Sequence, residues 1–90
     1  MINKGLTVGN VTAVQLSTTE LHGGVCLVAD RTNTGTVYWA CRSDVTAKGG
    51  DSTTGTPLYP GATAEIPIDK ASSIYLIADA SSQYVFYAGQ

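Results

Sequence analysis

An all-β fold is predicted by three features of this 90-residue chain. No window carries the 3.6-residue apolar period of a helix. Short runs of alternating apolar and polar residues recur instead, and β-branched and aromatic side chains concentrate in them. Ten Gly, three Pro and twelve Thr punctuate the chain at short intervals, as strands and turns require. Roughly six or seven strands with turns every eight to twelve residues indicate one small β-sandwich, jelly-roll-like or Ig-like, or a partly open barrel of about six to eight strands.

Taken in order, Met1–Asn10 is expected as an N-terminal arm and residues 11–90 as the sandwich. Val11–Leu16 is the first strand, with a start near Leu6 and a bend at Gly9-Asn10 as its longer form. Ser17–Gly24 is a polar connection. Val25–Asp30 and Thr36–Arg42 are expected to form a hairpin over a loop holding Asn33 and Gly35, residues that tolerate positive φ. Ser43–Thr56 is rich in Gly, Ser, Thr and Asp and reads as a loop, with room for a short strand at Asp44–Thr46. Ala62–Ile68 alternates Ala64, Ile66 and Ile68 with Thr63, Glu65 and Pro67. Pro67 cannot donate to a ladder, which makes this an edge strand. Ser73–Asp79 and Gln83–Ala88 complete the series. The expected core is Val14, Leu16, Val25, Leu27, Ala29, Val37, Trp39, Leu58, Ile66, Ile68, Ile74, Leu76 and Val85 or Phe86.

Composition limits function. With 43% apolar and 13% charged residues the chain is too apolar to be disordered, and its low charge hints at surface covered by a partner or by further copies. A net charge of −2 with five scattered basic residues argues against nucleic acid. No apolar run approaches the roughly 20 residues that cross a bilayer, so no membrane partner is expected. Met1-Ile2-Asn3-Lys4-Gly5 lacks an apolar signal region, and synthesis in the cytoplasm is the expectation.

Chemistry-bearing residues are sparse. Cys26 and Cys41 fall in neighbouring strands, and a one-residue shift in register decides whether they meet. The register that buries Val25, Leu27 and Ala29 keeps them apart as reduced thiols. His22 is the only histidine and sits beside Gly23-Gly24 as a loop residue. No catalytic residue, metal site or cofactor is expected. The aspartates lie at strand ends and turns, where they bond nearby amides. Asp51 alone lies in a loop of calcium-like composition, without the alternating oxygen ligands of a dedicated site. The tyrosines are more informative. Strand alternation forces several of them onto an outer face, where they suit a protein interface or a sugar platform.

The runs Val28-Ala29-Asp30 and Asn33-Thr34-Gly35-Thr36-Val37-Tyr38, followed by Pro57-Leu58-Tyr59-Pro60-Gly61, Glu65–Ile68 and Ile74-Tyr75-Leu76-Ile77-Ala78, resemble a β-sandwich module of tailed-bacteriophage structural proteins. The resemblance spans about Val11 to Tyr87. Tyr38-Trp39-Ala40-Cys41 departs from the pattern, which has a small residue or glycine soon after the tyrosine. The resemblance implies a non-enzymatic virion protein, foremost a capsid decoration (cement) protein on the outer head surface. Its partner would be the major capsid protein, and it would self-associate as a homotrimer. A tail, neck or fibre component and a carbohydrate- or receptor-binding head module are the alternatives. The expected contact residues are Tyr75, Tyr84 and Tyr87, with Ile2 and Leu6 of the arm.

Overall fold

The computed structural model describes residues 2–16, 24–47, 53–67 and 73–89. Eight strands run through them: β1 (Ile2–Val8), β2 (Val14–Gln15), β3 (Val25–Ala29), β4 (Val37–Ala40), β5 (Thr56–Leu58), β6 (Thr63–Ile66), β7 (Tyr75–Ala78) and β8 (Gln83–Gly89). They form two four-stranded antiparallel sheets, ordered β1-β8-β3-β6 and β2-β7-β4-β5. Pairing nests β4–β5 inside β3–β6, β2–β7 and β1–β8. A long antiparallel ribbon rolled up in this way is a jelly roll, the first of the sandwich forms expected from the sequence.

This topology corrects the expected hairpin. Val25–Ala29 and Val37–Ala40 lie in different sheets, β3 beside β6 and β8, β4 beside β5 and β7. Residues 30–36 therefore arch between the sheets. The physical reason is that β3 turns Val25, Leu27 and Ala29 inward while β4 buries Val37 and packs the partly buried Trp39 against the core, and facing strands satisfy that pattern as well as adjacent ones.

The N-terminal segment is corrected too. Ile2–Val8 is paired along its length with Gly89–Gln83, so it is a strand of the first sheet. The chain then leaves that sheet at Gly9, whose carbonyl accepts the Ala78 N–H (2.9 Å), and joins the second sheet at Val14–Gln15. Bends of this kind are how sandwich strands change sheets. The expected strand at Val11–Leu16 is thus reduced to two residues. At Asp44–Thr46 a single bridge, Thr46 to Thr54, replaces the expected strand.

β6 is an edge, as its proline requires, and ends one residue before Pro67. The turn before it, Tyr59-Pro60-Gly61-Ala62, closes with Ala62 N–H donating to Tyr59 O (2.8 Å). Pro60 presets φ there and Gly61 takes φ +80°, the geometry of a type II turn.

Between the sheets lie Val8, Leu16, Val25, Leu27, Ala29, Val37, Leu58, Ile66, Ile74, Leu76, Ala78, Val85 and Tyr87. Val14 and Trp39 are only partly buried and pack against this cluster. The Trp39 Nε1–H is buried and has no acceptor among the described residues. Of the pair Val85 and Phe86, Val85 is the core residue. Ile68, His22, Asp51 and most of Ser17–Gly24 lie outside the described residues.

Candidate interaction face

The outer face of the first sheet is built by alternation along β8. Gln83, Val85 and Tyr87 turn inward, so Tyr84 and Phe86 turn outward, 36% and 41% exposed. Their rings meet edge to face, with centroids 5.0 Å apart and planes at 77°. On β3 the neighbour of Phe86 is Val28 and the neighbour of Ala88 is Cys26, both half-buried. On β1 the residue opposite Phe86 is Gly5. A Cβ at Gly5 would overlap the Tyr84 hydroxyl and ring, so the glycine leaves room for the ring to lie across β1. An apolar aromatic strip thus crosses three strands.

A shallow groove of about 350 Å³ adjoins the strip, lined by Val28, Ala29, Asp30, Arg31, Gly61 and Phe86. The Asp30 carboxyl is held below its ordinary value of 3.8, chiefly by the Thr32 backbone N–H (2.9 Å) and then by the Thr32 hydroxyl (2.9 Å). Burial opposes the shift, and the charge of Arg31 adds a smaller lowering.

The same end of the sandwich is held by side chains that replace missing ladder bonds. Asn33 Nδ2 donates to Tyr84 O (2.9 Å), and Tyr84 N–H donates to Asn33 Oδ1 (2.8 Å). Gln83, almost fully buried, accepts the Gly35 N–H at 2.9 Å. Its Nε2 donates to Ser81 O (2.8 Å) and Thr34 Oγ1 (3.2 Å). Asp79 accepts the Thr36 N–H (2.8 Å) and returns its own N–H to Thr36 O (3.1 Å). These bonds fasten the 30–36 arch to the 79–83 turn and fix the base on which Tyr84 stands.

Of the residues singled out in the sequence, Tyr84 alone lies on this strip. Tyr75 is half-buried on the opposite side of the molecule, in the second sheet, paired with Gln15 and Ala40. Tyr87 is 6% exposed and belongs to the core, which removes it as a contact residue. Leu6 is partly buried and packs against the core, because β1 is part of the sheet rather than a loose arm. Ile2 pairs with Gly89 in β1. Phe86, Val28 and Gly5 were missed. Period-two alternation from Tyr84 was the available signal for Phe86; nothing local in the sequence marks Val28 or Gly5.

Cys26 and Cys41 are both free thiols. Among the described residues no cluster of three or more His, Cys, Asp or Glu side chains is placed to hold a metal ion.

Fold and face together define a small jelly roll that presents an aromatic strip on one sheet. Comparisons of the chain with protein-family models, with curated proteins and with solved structures find no match.

Proposed function

We propose that this chain is a non-enzymatic virion structural protein of a tailed bacteriophage, a capsid decoration protein that seats on the outer head surface and stabilises the shell. The observation that carries this reading is the exposed Tyr84–Phe86 pair with Val28 beside it, on a chain with few charges. Aromatic side chains of this kind anchor protein interfaces, because they bury much area at small conformational cost. The jelly-roll order supports the reading by fold-level analogy alone, since such rolls recur in viral capsid and lectin domains. The resemblance of the Asn33–Tyr38 and Pro57–Gly61 runs to the phage module adds the address.

The partner is the major capsid protein. Each copy contributes a modest contact, and repetition over the lattice multiplies it through effective concentration. The shell then resists internal pressure because neighbouring capsomers are bridged by added buried area.

The test is copy number per purified particle by quantitative mass spectrometry, with Phe86→Ser particles alongside. A count that is a simple fraction of the major shell protein, reduced by Phe86→Ser, is expected. A count near a dozen or fewer moves the protein to the neck or tail. Absence from particles, with saturable glycan binding lost in Phe86→Ser, overturns the reading in favour of a carbohydrate-binding module.

A further inference from the structure

The four sheet edges are unequal. β2 has two residues, β5 has three with Pro57 in the middle, and β6 has four with exposed Glu65 and Pro67 directly after. Each of these edges is blunted by shortness, proline or charge. β1 is seven residues long and proline-free, and no described residue pairs with its outer side.

Tyr84 determines which backbone groups of β1 point outward. Its carbonyl accepts the Asp30 N–H and its N–H donates to Asn33, so both face β3. Alternation turns Gln83, Val85, Tyr87 and Gly89 toward β1. Their partners Val8, Leu6, Lys4 and Ile2 therefore bond β8, which leaves the N–H and C=O of Asn3, Gly5 and Thr7 on the free edge. Gly9 keeps the pattern, since its carbonyl leaves the β8 side for Ala78.

We propose that β1 is a self-association edge, through which two copies pair antiparallel about a twofold axis at Gly5 and join their first sheets into one eight-stranded sheet. The register follows from counting. With Gly5 opposite Gly5, all seven residues overlap and every outward group is used, two hydrogen bonds in each of the pairs Asn3–Thr7, Gly5–Gly5 and Thr7–Asn3. Sliding the axis to Lys4 or Leu6 shortens the overlap and loses one of those pairs.

The second copy is the occupant that this edge selects, because a twofold antiparallel contact makes one edge complementary to itself. Tyr84 adds to it. Its ring lies over Gly5, so the axis brings the two aromatic strips together, and a larger residue at position 5 would take that space. The contact is isologous and closes at two copies, so it builds a pair rather than the trimer that the resemblance implies. It stands independently of the virion reading.

The experiment is sedimentation equilibrium of the whole chain at concentrations up to about 1 mM, where weak strand addition is populated. A mass twice 9.3 kDa is expected. Thr7→Pro removes one outward N–H and leaves the β8 ladder intact, so it should weaken the pair at least about tenfold with thermal unfolding of the monomer unchanged. Should that variant misfold, the double variant Asn3→Cys/Thr7→Cys decides, in a background of Cys26→Ser and Cys41→Ser. Across the proposed axis the two positions are about 5.5 Å apart by Cα, within disulfide reach; within one strand they are about 13 Å apart. Mild oxidation should therefore give a covalent dimer. A monomer at all concentrations, a threefold mass, or a dimer indifferent to Thr7→Pro that does not cross-link would overturn the proposal.

Discussion

Asn33 binds the main chain of Tyr84 through both ends of its amide, donating to the carbonyl and accepting from the N–H. The side chain of an arch residue thereby completes the pairing that Asp30 begins, since Asp30 N–H also donates to Tyr84 O (3.0 Å). Among the described residues the Tyr84 N–H donates to the Asn33 side chain rather than to a ladder carbonyl, so the amide is the group that holds the start of β8 in line.

Asn33→Ala should cost about 1–2 kcal/mol, because it removes two hydrogen bonds, each contributing about 0.5–1.5 kcal/mol where water can reach the freed groups. For a domain of this size that corresponds to a fall in Tm of at least about 4 °C. Asn33→Asp keeps the acceptor but loses the donor to Tyr84 O, and should fall between wild type and alanine at neutral pH. Equal Tm values for all three would show that the amide is not holding β8.

Gln83→Leu should be more destabilising than an ordinary surface change, by about 1–3 kcal/mol, although leucine fits the size of the site. The cost lies in the part-buried Gly35 N–H, which would lose its acceptor, and in the two bonds that the buried Gln83 amide donates. Chemical denaturation measures it. A gain in stability would mean that the 30–36 arch satisfies its own amides.

Asp30 sets an acid limb. Its folded-state carboxyl titrates below its unfolded value, so its contribution is present above about pH 4 and is lost as pH falls through the lowered folded value. Asp30→Asn retains an oxygen for Thr32 but does not titrate. The urea midpoint of this variant should fall less steeply than wild type below about pH 4, and the two should run parallel above about pH 5. Parallel curves throughout would remove Asp30 from the acid limb.

The Tyr84 ring should shift the α-protons of Gly5 upfield by ring current, and Tyr84→Ala should return them to ordinary glycine values. Gly5→Val should displace the ring at a cost below about 1 kcal/mol, since the overlap falls on the free end of a flexible side chain. Proton NMR reads the first effect, thermal unfolding the second. An unshifted Gly5 in wild type would place the ring elsewhere.

Much of the strand content was legible because burial follows alternation. Val25, Leu27 and Ala29 turn inward as the pattern requires, and Pro67 marks the edge at β6. Sheet membership was not legible. Val25–Ala29 and Val37–Ala40 show the same inward period whether they lie side by side or face each other, and the turn residues Asn33 and Gly35 serve an arch as readily as a hairpin. Sequence alone also could not show that β1 continues the fold, because its pairing with β8 joins residues more than seventy positions apart. The candidate face was half legible. Parity separates Tyr84 and Phe86 from Val85 and Tyr87, yet grouping Tyr87 with Tyr84 set residue type above parity. The part played by Gly5 emerges only once β1 lies beside β8.

The last strand in the sequence lies in the interior of the first sheet, between β1 and β3. Of the strand pairings, β4–β5 alone joins consecutive strands, so loop closure over long spans precedes almost every gain in contact energy. Folding should therefore be slow for a chain this short, on the millisecond-to-second scale of all-β domains. During synthesis, β1 and β3 must remain without their shared neighbour until residues 83–89 have emerged from the ribosome.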